Sequence, residues 1–137
     1  MRKITEIIIH CADTPEGRDV RAADIRKWHV KDNGWNDICY HYVIDLDGTI
    51  EAGRDLETIG AHCKGHNQNS IGICYIGGRD SHTYAPADTR TDAQKASLVL
   101  LLKYLRSRYP QARIYGHRDF SDKACPCFDA KTEYKDL

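Results

Sequence analysis

The run Ile4-Thr5-Glu6-Ile7-Ile8-Ile9 limits the fold of this chain more than any other stretch. It is β-branched and apolar apart from its two polar residues, and it is too short for an ordinary helix, so it reads as a largely buried strand. A buried strand needs packed layers on both of its faces. Ser70-Ile71-Gly72-Ile73-Cys74-Tyr75-Ile76, closed by Gly77-Gly78, reads as another strand. Ile38 to Ile44 and Thr49 to Ala52 flank Asp47-Gly48 and form the clearest hairpin signal in the chain. Helical spacing of Ile25, Trp28 and His29 predicts a first helix over 22–31, stopped by Asn33-Gly34, with Asp19 or Thr14 as its cap. Thr91 and Gln94 have capping-box spacing ahead of Leu98, Leu101, Leu102 and Leu105, and Pro110 ends that helix. Arg113-Ile114-Tyr115 reads as a last short strand, and Asp129 opens a final helical turn or two. The partial alternation of strands and helices, with one hairpin, predicts a single α/β domain over residues 1–137: a central mixed sheet flanked by helices.

Charge excludes some function classes. Lys plus Arg and Asp plus Glu both number 20, so no general basic field exists to attract nucleic acid or anionic lipid. No apolar run approaches the ~18 residues of a membrane span. The first residues carry no cleavage site after their apolar run, so they read as a strand of the mature domain and not as a signal peptide. Six cysteines in a chain without an export signal are expected to be thiols; Cys11, Cys39 and Cys74 fall in apolar runs and read as small buried hydrophobes, while Cys63 stays open.

Ligand-type residues concentrate in Gly116-His117-Arg118-Asp119-Phe120-Ser121-Asp122-Lys123-Ala124-Cys125-Pro126-Cys127-Phe128, a segment too polar to be core. His117 stands where a strand ends and a loop begins, a good place to build a site. His10 ends the first strand. If the first and last strands are neighbours, His10 and His117 meet at one sheet edge, and Cys125 completes the three-ligand set of a catalytic zinc site. Seven His and six Cys allow many other triples, so spacing alone leaves the set open. A thiolate cancels one unit of the metal's charge, so such a site needs help at the transition state. Lys123 reads as that help or as a surface lysine. Tyr40 reads as a hydroxyl that orients water or as a packed strand residue.

Several segments occur together in one order: Ile7-Ile8-Ile9-His10-Cys11, Gly34-Trp35 with Tyr40-His41-Tyr42, Asp47-Gly48-Thr49, Glu51-Ala52-Gly53-Arg54, Gly60-Ala61-His62 with Lys64-Gly65-His66-Asn67, Asn69-Ser70-Ile71-Gly72-Ile73, and Gly116-His117 with Lys123-Ala124-Cys125-Pro126 and Phe128-Asp129. In this combination the chain resembles the phage-lysozyme-type N-acetylmuramoyl-L-alanine amidases, relatives of the peptidoglycan recognition proteins, from about Ile7 to Asp129. The resemblance implies a hydrolase that cuts the amide bond between N-acetylmuramic acid and L-alanine in peptidoglycan. It implies His10, His117 and Cys125 as zinc ligands, and Tyr40 and Lys123 as the catalytic pair. It also implies a glycan and peptide cleft lined by the Gly60-to-Ser70 loop, with His62 and Asn67 as substrate contacts. Trp35 is a candidate to stack on a sugar ring. His41 alternates with Tyr40 along a predicted strand and is expected on the opposite face, as a structural residue. Trp28 is expected in the core.

Two departures from that pattern matter. Cys127 stands where a small polar residue is more usual, two residues from Cys125, which leaves a ligand swap open. The arm before the first strand is very short. The RNA polymerase inhibition found in some phage relatives is therefore not expected. A non-catalytic peptidoglycan-binding module of the same fold is the alternative reading, and the presence of all five matched residues favours catalysis. A monomer is expected, acting on the cell wall after release through a membrane lesion made by a holin-type protein, as for a phage or prophage endolysin. A delivered toxin also fits the sequence.

Overall fold

In the computed structural model, residues 2–137 are described. Five strands form one mixed sheet in the order β4-β3-β5-β1-β7, built from β1 (Glu6–Cys11), β3 (Tyr42–Ile44), β4 (Ile50–Ala52), β5 (Ser70–Tyr75) and β7 (Arg113–Gly116). Only the β3–β4 hairpin is antiparallel; β1 pairs in parallel with both β5 and β7. The central place of β1 explains its composition. Ile7, Ile8 and Ile9 are fully buried, because both faces of a central strand meet packed layers.

One layer contains α2 (Asp92–Arg108) and α3 (Ala130–Glu133). Leu98, Leu101, Leu102 and Leu105 from α2 pack on Ile7, Ile9, Ile71, Ile73 and Ile114. The other layer begins with α1 (Ala22–Lys27), whose Ile25 packs with Val20, Ile38, Val43, Cys74 and Ile76. Each such aliphatic side chain contributes about 1.5–3 kcal/mol when fully buried. A two-stranded parallel ladder, β2 (Thr14–Pro15) with β6 (Gly78–Arg79), extends past the ends of β1 and β5.

The α2 cap forms as expected: Gln94 N–H donates to Thr91 Oγ1 at 3.0 Å, and Thr91 N–H donates to Gln94 Oε1 at 2.9 Å. The first helix differs from its expectation. It is α-helical only to Lys27 and continues as a π-helical turn over Trp28–Asp32. Neither Asp19 nor Thr14 caps it. The Glu51 carboxylate on β4 accepts from Ala22 N–H at 3.0 Å, a partner that only the tertiary fold supplies. Trp28 is half-buried against the second core, as its helical spacing suggested.

The hairpin strand is shorter than expected. Residues 38–41 leave regular pairing, although His41 N–H still donates to Gly72 and Ala61 N–H to the Cys39 carbonyl. Gly53 permits this bend, since a Cβ there would stand 2.2 Å from the Tyr40 carbonyl oxygen. Strict alternation therefore stops before Tyr40, while His41 lines a different groove from the cleft that Tyr40 faces. Its ring lies 5.9 Å from the His62 ring. All six cysteines are free thiols; Cys11, Cys39, Cys63 and Cys74 are buried.

Candidate metal centre

Register places the two histidines together. Ile9 is level with Gly116 across the parallel β1–β7 pair, so His10 and His117 are each the next residue along. His10 is the penultimate residue of β1 and His117 follows the last residue of β7, so both stand at the C-terminal ends of parallel strands, where open α/β sheets characteristically bind ligands. Their ring centroids are 4.5 Å apart. Cys125 reaches the same point because the loop after β7 folds back. Arg118 N–H donates to the Cys125 carbonyl at 2.7 Å, and the Tyr75 hydroxyl donates to the Pro126 carbonyl at 2.6 Å. Gly116 makes room for this return, since a Cβ there would meet the Pro126 ring at 2.8 Å.

The Cys125 Sγ lies 3.9 Å from His10 Nδ1 and receives the Cys11 N–H at 3.2 Å. One donor atom each from His10, His117 and Cys125 falls within a mutual distance of 4.8 Å, the one such group among the described residues. Two imidazoles and a thiol suit zinc, and this is the ligand count of a catalytic site with a position left open. Burial, then the nearby His62, His117 and Lys123, hold the His10 pKa well below its ordinary value. Burial and then Lys123 lower that of His117. Both rings are therefore neutral at neutral pH, with lone pairs free to bind a cation.

Above this group opens a cleft of about 560 Å³, lined in part by Tyr40, His29, Trp35, His62, Lys123 and Cys127. The Tyr40 ring centroid is 5.2 Å from that of His10. Burial, with Cys74 and Cys125 adding to it, raises the Tyr40 pKa well above the ordinary phenol value, so the hydroxyl keeps its proton. Lys123 is exposed on the rim. Trp35 is half-exposed, with its ring 5.0 Å from that of His29.

His29 is a cleft residue that the sequence reading passed over. Its Nδ1 accepts from Cys39 N–H at 3.0 Å, and it lies on the π-helical turn; its helical spacing marked it as part of a helix face and gave no sign of a role in a site. Cys127 lies outside the donor group, with its thiol 3.3 Å from the Gly78 carbonyl oxygen. Asn67 lines an adjoining groove, and its Oδ1 accepts from the backbone N–H groups of His62 and Cys63 at 2.8 and 2.9 Å. His62, expected to touch substrate, is only 8 % exposed. Both of its ring nitrogens are engaged, with His10 Nε2 at 2.9 Å and Ser70 Oγ at 3.1 Å.

Comparison with known proteins agrees with this geometry. The chain is 45 % identical to the endolysin of Escherichia phage T7 over 125 residues, covering 91 % of this chain and 82 % of the relative. Among solved structures, the N-acetylmuramoyl-L-alanine amidase LysC from Clostridium intestinale superposes with a TM-score of 0.79 at 28 % identity, over 96 % of this chain and 82 % of that one. Bumblebee PGRP-SA does so with a TM-score of 0.81 at 27 % identity, over 100 % of this chain and 83 % of its own. The family model for N-acetylmuramoyl-L-alanine amidase matches residues 1–128, and with it the whole metal group, so this chain belongs to the N-acetylmuramoyl-L-alanine amidase family.

Proposed function

We propose that this amidase is a zinc enzyme of the endolysin type, which hydrolyses the bond between the lactyl group of N-acetylmuramic acid and L-alanine in peptidoglycan. The convergence of His10, His117 and Cys125 at the floor of an open cleft, in a chain of this family, carries the reading. When bound, zinc supplies Lewis acidity toward the scissile carbonyl and lowers the pKa of water.

The chain's own residues supply the rest. The Cys125 thiolate reduces the charge at the centre, which leaves a demand for positive charge at the transition state. Lys123, on the rim of the same cleft, meets it by stabilising the oxyanion that forms on the attacked carbonyl. Tyr40 keeps its hydroxyl proton and holds the attacking water or the tetrahedral oxygen in place. Trp35 offers a half-exposed face for a sugar ring, and Asn67 lines the groove that continues the cleft. The relatives named endolysin come from phages. By that analogy the protein reaches the wall through a membrane lesion made by a second, holin-type protein. No helix among the described residues is long and apolar enough to cross a membrane.

Digestion of purified peptidoglycan, followed by mass spectrometry, tests the reading. Stem peptides with a free L-alanine amino group are the expected product, in a reaction that stops with a chelator and returns with zinc. The wild type should carry about one zinc per chain under reducing conditions. Lys123→Ala should release no peptide while keeping that zinc. Cleavage of glycan or cross-bridge bonds, or a metal-free active enzyme, would overturn the proposal.

A further inference from the structure

His62 lines the back of the cleft and presents little surface to it. It lies behind His10 in a seat built for its ring. A Cβ on Gly72 would stand 2.6 Å from His62 Cγ, and a Cβ on Gly60 would stand 2.8 Å from His62 Cδ2. Side chains at either position would displace the imidazole. The loop that carries it is tied down by Asn67 Oδ1, which accepts from two successive backbone N–H groups. The His10 and His62 rings meet edge to face at 90°, with centroids 4.9 Å apart.

One arrangement of hydrogens satisfies every contact and leaves a metal-binding lone pair. His10 Nδ1 faces Cys125, so Nε2 carries the hydrogen and donates it to His62 Nδ1. His62 then carries its own hydrogen on Nε2 and donates it to Ser70 Oγ, which is fully buried at the start of β5. We propose that His62 is a positioning residue of the metal centre, a neutral imidazole that fixes the tautomer and orientation of His10, with Ser70 fixing the tautomer of His62 in turn. The inference rests on the zinc reading given above.

Metal-bound histidines are commonly held by a carboxylate, a backbone carbonyl or water. A neutral acceptor has a specific advantage here. Cys125 already brings one negative charge to the centre, and a carboxylate behind His10 would add more electron density and weaken the Lewis acid further. An imidazole orients the ligand without that cost.

Two measurements test this. The first uses zinc-loaded wild type: nitrogen-15 NMR of the imidazoles should show His62 protonated at Nε2 and bare at Nδ1. The opposite tautomer, or a doubly protonated ring near neutrality, overturns the proposal without need of any variant. The second compares His62→Asn, whose Oδ1 can take the acceptor's place, with His62→Leu, of similar size and no acceptor. Zinc affinity is read by competition with a chromophoric chelator, and folding by circular dichroism. The Leu variant should lose about 10- to 100-fold in zinc affinity, and the Asn variant should recover most of it. Equal losses in the two would mean a packing role. An unchanged zinc affinity with a raised KM in both would return His62 to the substrate. A wild type that binds no zinc would overturn the parent reading, whereas a zinc-bound wild type with an unaffected Leu variant overturns this inference alone.

Discussion

His41 shows how a single buried side chain contributes to the pH response of the fold. It is 1 % exposed; its Nδ1 accepts from Gly72 N–H at 3.0 Å and its Nε2 lies 2.8 Å from the Thr58 carbonyl oxygen. A neutral ring with its hydrogen on Nε2 satisfies both. Burial lowers its pKa to about 4, against the pull of the Thr58 carbonyl and with some help from Arg2. In the unfolded chain the same ring takes a proton near pH ~6.5. Between those values the unfolded state holds more protons, so this stabilisation is present above pH ~6.5 and is lost as the pH falls toward the folded value. In urea unfolding, His41 should account for a loss on the order of 3 kcal/mol by the acid end of that window, and His41→Gln should reduce the wild-type slope by that share. An unaltered slope in the variant would place the acid sensitivity elsewhere. The two neighbouring thiols divide similarly by position. Cys125 Sγ faces His10, while Cys127 Sγ lies 3.9 Å from Cys11 Sγ and bonds toward Gly78. Metal analysis under reducing conditions should find zinc in Cys127→Ser and none in Cys125→Ser; the reverse pattern would exchange their roles.

Among the elements, α2 was the most legible, because its signals are local. Thr91 and Gln94 close the capping box within one turn, and the leucines repeat at helical spacing. Gln94 also does something that spacing cannot reveal. Its Nε2 donates to the Ile44 and Ile76 carbonyls at 3.2 and 2.9 Å, which fastens the helix start to the ends of β3 and β5. Thr91→Ala should therefore cost about 1 kcal/mol, the usual worth of a cap. Gln94→Ala should cost more, about 1–3 kcal/mol beyond the cap, because it strands the buried Ile76 carbonyl, whereas the Ile44 carbonyl keeps the Ile76 N–H. Urea unfolding of the two variants separates the effects, and equal costs would mean that the cap alone matters. The first helix was legible as an element but not in its detail. Its N-terminus is met by Glu51 across the fold, and its last turn is π-helical. The same bend that ends β3 early carries Tyr40 into the cleft, and period-2 reasoning had no access to it.

For the whole molecule, the metal group is a long-range tie. His10 and Cys125 are 115 residues apart in the chain, and the ion they would share links the central strand to the last loop. A ligand that binds only the folded state stabilises it by mass action, by ~2.7 kcal/mol at a hundredfold excess over Kd. Thermal melts should therefore fall by several degrees when a chelator is added to the wild type, and should not respond in Cys125→Ser. A melting temperature indifferent to chelator in both proteins would mean that no structural gain accompanies the metal.

Residue order alone determined the buried strands, the capped helix and the hairpin turn, because each depends on patterns within a few residues; it left the donor set open, and only the resemblance to the amidase family singled out His10, His117 and Cys125. The tertiary structure decided what lies between distant segments. The parallel β1–β7 register brings His10 level with His117, the folded-back loop presents Cys125 and turns Cys127 aside, and the glycine-lined seat puts His62 behind His10. These placements follow from how the layers pack, and packing joins residues whose separation along the chain leaves no local signal.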